Sequence, residues 1–479
     1  MNTIRAVSVF VLCIFFNRSI AQSNTPSGKL SLKQCVETAF NNNLDVQQGN
    51  ILVERSKIDW NQARLNLLPS LNGSASTTFA QGRTIDPATN SYINTNANYA
   101  NYGLASDVVL FNGLNRQNLI KQNSLAYEAT RMDWQQVKDN LTINIILAYL
   151  EVLRNEDLLE LSRNQLNLSK NQVDRLEILN REGAIAPSLL SDLKGEYADN
   201  QLSIINTETA MVTAKIALSQ LMNIPFDKNM EVERLNAESY TTKYDLTPDS
   251  IYQVALQQFA QVRAADLWTQ SASRRVKAAR GLMYPTLSLG GNLGTSYGST
   301  FYSTAVLPTS KDITSTDYVV VNGVPSPVVY HISDTRQDKI PYQTQLNNNL
   351  SSSVGLSLRI PIFNSFFYRN QVKLAKLTLK DNELQAKTTK TQLQQSIERA
   401  YTNMTSAADK YKVLLEQVNA YQESFRAAEI RFNAGVGTSI DYLTAKNNLD
   451  RANTNVIMAK YDYVLRTKVL DYYQGKQLW

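Results

Sequence analysis

At 479 residues the chain is long enough for two or three domains, and it combines 43% hydrophobic residues and a formal charge of +6 with a surplus of Asn, Gln, Ser, Thr and Tyr. One histidine and two cysteines leave almost no raw material for a His/Cys metal cluster or a Cys/His nucleophile pair. The charge is spread along amphipathic segments with no Lys/Arg block or aromatic platform, which argues against a nucleic-acid partner.

The chain opens with Arg5, an apolar run from Ala6 to Phe16 and the small-residue pattern Ser19-Ile20-Ala21. This is read as a secretory signal peptide over residues 1–21, because a membrane anchor needs about 20 apolar residues and this run is far shorter. Cys13 lies inside the run and has no small residues just before it, so it is not read as a lipid-attachment site. Cleavage after Ala21 leaves Cys35 as the single cysteine, and no internal disulfide can form. Ser31 followed by Gln34 is a capping box that starts a helix running toward Pro69. Strands follow near residues 70–85 and 98–111. Residues 114–182 then contain neither Gly nor Pro, and at about 1.5 Å per residue one helix of that length reaches about 100 Å. Its apolar residues fall on two stripes, Val137, Leu141, Ile145, Ala148 and Val152 beside Ile146, Leu150 and Leu153, so neighbours are expected on two sides. A turn from Gly183 to Pro187 sends the chain back through a helix that ends before Pro225, closing a hairpin over 114–224.

After a linker over 226–246, Thr247 and Pro248 give an N-cap with proline at the first helical position. Strands are expected near 286–298 and 349–363, and a second Gly- and Pro-free stretch covers 366–434. A turn from Gly435 through Gly437 to Ser439 precedes a last helix, closing a hairpin over 366–474. The halves match: Pro69-Ser70-Leu71 pairs with Pro285-Thr286-Leu287, Leu110-Phe111-Asn112-Gly113 with Ile362-Phe363-Asn364-Ser365, and Gly183 with Gly435. The chain therefore reads as two repeats, 22–225 and 247–479, the second carrying an insertion near 298–348. The lone His331 lies in this insertion and reads as a loop residue.

The expected strands alternate with period two. Leu350, Val354, Leu356, Leu358, Ile360 and Ile362 share one face, and Ser351, Ser353, Gly355, Ser357 and Arg359 the other. Tyr102, Leu104, Val108 and Leu110 oppose Asn101, Gly103, Ala105 and Asp107 in the first repeat, and Leu287, Leu289, Leu293 and Tyr297 oppose Ser288, Gly290, Asn292 and Gly294. One apolar and one small, polar face is the pattern of a transmembrane barrel with a wet lumen. A barrel needs at least about eight strands because lipid satisfies no open edge. Four per chain cannot close alone, so several copies must share one barrel.

These residues, in this order and spacing over essentially the whole mature chain, resemble the TolC-like outer-membrane efflux proteins. The resemblance implies a mainly α fold with transmembrane β-structure: a homotrimer with a 12-stranded barrel in outer-membrane lipid and a helical tunnel in the periplasm. It implies a passive exit channel, not an enzyme, for small molecules or polypeptides in a tripartite efflux or type I secretion system. Its partners would be a periplasmic adaptor and an inner-membrane pump; neither catalytic residues, metal nor cofactor is expected. It also implies an acidic constriction at the helix turns, with Asp441, Asp192 and Thr444 as gate candidates. Thr444 stands where the family pattern has a second acid, and Gly437 where it has a base. The turn residues Gly183, Pro187, Gly435, Gly437 and Ser439 become adaptor-contact candidates. Asp441 has a second role open to it, as a carboxylate in the first turn of a helix. The competing function is an exported helical adaptor or fibrous interaction protein without a pore. A hydrolase stands behind both, since the carboxylates form no recognisable constellation with a nucleophile or metal set.

Overall fold

A computed structural model describes residues 29–85, 90–234 and 246–476; the signal peptide and most of the linker expected over 226–246 lie outside the described residues. The chain order is α1 (Leu32–Asn42), α2 (Leu44–Leu65), β1 (Ser70–Ile85), β2 (Tyr92–Phe111), α3 (Asn115–Arg181), α4 (Pro187–Leu221), α5 (Pro248–Gln258), α6 (Ala260–Gly281), β3 (Thr286–Gly298), β4 (Tyr302–Val321), β5 (Val324–Lys339), α7 (Tyr342–Asn348), β6 (Ser351–Arg359), α8 (Phe367–Asn433) and α9 (Ser439–Tyr473). Two compact units result: Met1–Val53 with Thr130–Ala264 and Ala386–Trp479, and Glu54–Ala129 with Ala265–Gln385.

The first unit is helical. Its largest core cluster joins α1 (Cys35, Val36, Ala39) to α3 (Ile145, Tyr149, Val152) and α4 (Ala214, Leu218). Tyr149 is fully buried, and its hydroxyl lies 3.0 Å from the Leu30 carbonyl oxygen and 2.6 Å from that of Glu233. It thereby secures the parallel bridge between Leu30 and Val232. Ser31 forms the expected capping box with Gln34. Burial pushes the Cys35 thiol up to about 12. At pH 8 this thiol is therefore protonated and shielded. A maleimide should leave the folded protein unlabelled and modify Cys35 fully after denaturation; comparable labelling rates in the two states would contradict this burial.

The second unit contains a four-stranded antiparallel sheet in the order β1-β2-β3-β6, which leaves β1 and β6 as open edges. Its register aligns the two kinds of face across strands. Val108, Leu289 and Leu356 form one row, and Asp107, Gly290 and Gly355 the adjacent row. The apolar side is uncovered: Leu71, Val354, Leu356 and Leu358 are all exposed, Val354 at 81%. A sheet over a water-soluble core would bury that side. Both strand-to-helix passages use two consecutive left-handed residues, Gly113 and Leu114 (φ 63° and 61°) before α3 and Ser365 and Phe366 (φ 53° and 61°) before α8.

Several sequence expectations need correction. The described residues hold six strands rather than four, because the expected insertion over 298–348 is a β4–β5 hairpin followed by α7. The Asn322-Gly323 turn supplies its signal, both residues taking positive φ. His331 is consequently a strand residue, with Nδ1 2.7 Å from Asp312 Oδ1 on the paired strand. β2 begins at Tyr92 and β6 ends at Arg359, so one is longer and the other shorter than expected. Each opening helix is broken in two, at Asn43 and Phe259, whose extended backbones interrupt the helical hydrogen bonding. Asn43 then caps α2, its Oδ1 accepting from the Asp45 and Val46 amides.

Candidate constriction at the helix turns

The two helix turns of the first unit are built alike. α3 ends with Gly183 at φ 72°, the Ala184 amide donating to Leu179 O and the Gly183 amide to Asn180 O. α8 ends with Gly435 at φ 73°, the Val436 amide donating to Arg431 O and the Gly435 amide to Phe432 O. Both are Schellman closures, which satisfy the last helical carbonyls and call for glycine in the left-handed position. The restarts differ. α4 begins at Pro187 behind Ala186, which offers no side-chain cap. α9 begins at Ser439 behind Thr438, whose Oγ1 accepts from the Asp441 amide at 3.1 Å and donates to Asp441 Oδ2 at 2.8 Å.

Asp441 therefore stands in the first turn of α9, exposed, with its carboxylate held by Thr438 and favoured by the helix dipole. One oxygen and most of the charge stay available to water. Asp192 and Thr444 are also exposed, and among the described residues neither makes a side-chain hydrogen bond or ion pair. No direct bond joins the three candidates. At Gly437 a side chain would be crowded: a Cβ would lie 3.0 Å from Phe432 N and 3.1 Å from the Arg431 carbonyl carbon. The tight turn thus has its own steric reason to lack the basic residue expected there. Val436 and Ile440 stand 78% and 73% exposed beside it.

Sequence reasoning missed the residues that hold this end together. Tyr442 is buried between Phe432, stacked at 4.7 Å between ring centroids, and Phe425 at 5.6 Å, and packs with Val173, Leu176 and Leu193. Burial pushes its hydroxyl pKa up, with Glu429, Asp450 and Glu196 adding to the effect. Arg175 on α3 donates from Nη1 to Asn433 Oδ1 at 2.5 Å, linking the ends of the two hairpins. Lys446 lies deeper still, with its side chain 2% exposed and its ammonium 2.7 Å from Glu196 on α4 and 2.6 Å from Asp450 on α9. Burial alone would lower its pKa, but the two carboxylates outweigh it and hold the value up. The available signal was periodicity: Tyr442, Ala445, Leu449 and Ala452 fall at helical spacing, and Lys446 lies on that stripe.

The model of the outer membrane efflux protein family matches residues 35–223 and 251–472, most of the chain. The chain belongs to the outer membrane efflux protein family. It is 23% identical over 405 residues to the outer membrane protein TolC of Escherichia coli (strain K12), across 85% of this chain and 74% of that one. The toxin and drug export protein A of Aggregatibacter actinomycetemcomitans is 20% identical, across 90% of this chain and 83% of its own. Among solved structures, CusC superposes with a TM-score of 0.75 at 16% identity, covering 93% of this chain and 92% of CusC. VceC of Vibrio cholerae reaches 0.74 at 15% identity, covering 94% and 97%. At such identities these structures speak for the fold, and the family for an outer-membrane efflux channel.

Proposed function

We propose that the chain is one subunit of a homotrimeric, passive exit channel in a tripartite efflux or type I secretion system. Residues 1–21 would direct export, and the repeats 22–225 and 247–479 would each supply two strands of a 12-stranded barrel in outer-membrane lipid. The helices would form a periplasmic tunnel that receives small molecules or polypeptides from a periplasmic adaptor and an inner-membrane pump. The observation that carries this reading is the four-stranded sheet with two open edges and an uncovered apolar side, which lipid and neighbouring copies would satisfy together. A fibrous adaptor without a pore has no use for such a face.

The edges also suggest how copies would join. If β1 of one copy pairs with β6 of the next, then α2, which leads into β1, faces α8, which follows β6. Ile58 and Leu65 on α2 and Leu374, Leu377 and Leu384 on α8 are all more than half exposed and would meet in that seam. The purified detergent complex should have the mass of three chains, and Ile58→Glu with Leu377→Glu should abolish it, since an unpaired buried carboxylate opposes assembly by several kcal/mol. A folded monomer with a closed barrel would sink the proposal.

At the turns, three copies would bring Asp441 around one axis with Asp192 near it, making a ring that attracts cations. Asp441→Asn keeps an acceptor for the Thr438 hydroxyl, so folding should change little. In single-channel recordings, block by a trivalent cation should weaken by roughly tenfold or more and cation preference should fall. Unchanged block with a lower melting temperature would confine Asp441 to capping α9. The exposed Val436 and Ile440, with Gly183, Pro187, Gly435, Gly437 and Ser439 shaping the turns, are the proposed adaptor contacts.

A further inference from the structure

We propose that Lys446 is a positioning residue: its buried ammonium, shared between Glu196 of α4 and Asp450 of α9, fixes the register of these two helices and thereby the level of Asp441 against Asp192. The register is a claim about this chain alone; its effect on conduction rests on the channel reading above.

The alanine stripe of α9 by itself defines this register poorly. The buried alanines of α9 recur every seven residues, at Ala445, Ala452 and Ala459, and a stripe of that period looks much the same after a shift along the helix. Lys446 breaks the equivalence. It is bound four residues on by Asp450 in its own helix, and across the seam by Glu196. A slip of one such period, seven residues or about 10 Å, would carry the ammonium away from Glu196 and leave it desolvated with a single partner. A buried polar residue that selects one register of a helix pair acts in this way.

Both helices start at a turn and run the same way from it: Leu193 of α4 and Tyr442 of α9 share one cluster, ahead of Glu196 and Lys446 respectively. Asp192 precedes Glu196 by four residues and Asp441 precedes Lys446 by five. The pin therefore brings the two acids to the same level within about one residue's rise, about 1.5 Å. No hydrogen bond joins them, so their alignment rests on the pin behind them together with the cluster that holds Leu193 and Tyr442.

The test uses the full trimer in detergent, with Asp199→Cys and Asn447→Cys spin-labelled in a few chains diluted among unlabelled ones. Both positions are exposed, and Cys35 is buried. The distance distribution from pulsed electron paramagnetic resonance should be single and narrow in the parent. The neutral triad Glu196→Gln, Lys446→Met, Asp450→Asn leaves no unpaired charge; it should keep the trimer while adding a second population displaced by up to about 10 Å, seven residues along the helix. The inverted triad Glu196→Lys, Lys446→Glu, Asp450→Lys should restore the single distribution. If the neutral triad does not assemble, Glu196→Ala alone removes the ligand across the seam and gives the same reading. A parent-like distribution in the neutral variant, or failure of the inverted triad to restore one, overturns the proposal. Trivalent-cation block on the same variants separates the two claims: a displaced population with unchanged block upholds the pin and removes the acids from the constriction.

Discussion

Gly113→Ala is expected to destabilise the protein by about 3 kcal/mol or more, read as a lowered melting temperature and a poor yield of folded oligomer. Two costs coincide at this position. Its φ of 63° lies in the left-handed region, which a Cβ disfavours by roughly 1 kcal/mol. The added carbon would also overlap the Gly281 carbonyl oxygen and stand 2.7 Å from Tyr284 Cβ. The obstacle is partly backbone, so no rotamer change can relieve it. Gly281 is its counterpart, since a Cβ there would stand 2.8 Å from Gly113 O and 2.9 Å from Asn115 N. These two glycines let the end of β2 pass close to the end of α6. Ser365 takes the matching left-handed conformation before α8, and Ser365→Gly should change stability in the opposite direction by a few tenths of a kcal/mol. Wild-type stability in Gly113→Ala would mean the passage is not formed as described.

Tyr149→Ala should cost about 3–5 kcal/mol, the range for removing a large buried aromatic side chain. Tyr149→Phe should cost only about 1 kcal/mol, because it removes the hydroxyl and keeps the ring. The hydroxyl faces the Leu30 and Glu233 carbonyl oxygens, so the milder variant should show its effect locally. Amide exchange at Leu30 and Glu233, whose amides donate to the carbonyl oxygens of Glu231 and Leu30 respectively, should accelerate while that of α3 stays slow. Equal losses in the two variants would mean the packing of the ring contributes nothing.

Much of the secondary structure was legible because its signals are local. Ser31 with Gln34, Thr247 with Pro248, and glycine at 183 and 435 each mark a helix end with backbone chemistry that needs no tertiary context. The strands were legible from alternation, which held through Val108, Leu289 and Leu356. Missed features arise where a local signal competes with a distant one. The insertion looked like a loop because Pro308, Pro325 and Pro327 read as strand breakers, yet a two-stranded hairpin is all edge and can seat proline where no N–H is needed. The break at Asn43 hid inside a polar Asn-Asn-Asn run that gave no hydrophobic register to interrupt. At the turns, Asp441 and Asp192 were singled out only through the acidic ring that the family resemblance implies. Lys446 was not, because a lysine on a stripe ordinarily reads as solvated, and only the arrival of Glu196 from another helix makes its burial tolerable.

The prolines of the β4–β5 hairpin bear on how an exported chain avoids sticking to its siblings. No charged residue occurs from Tyr318 to Tyr330, and Tyr318, Val319, Val320, Val321 and Val324 are all more than half exposed. An uncharged, β-branched, exposed strand is the usual seed for intermolecular sheet growth. Pro325 and Pro327, opposite Val320 and Tyr318, lie two residues apart and so on the same side of the β5 ladder. Proline persists in a strand where its missing N–H would have pointed away from the partner, so the outer margin of β5 lacks the donors an incoming strand would need. The β4 margin has no proline between Thr309 and Val321 and relies on Lys311, Asp312 and Asp317 instead. The two margins of one hairpin are thus guarded by different means, one by absent donors and the other by charge, and replacing both prolines would expose the weaker side at the segment most prone to aggregate.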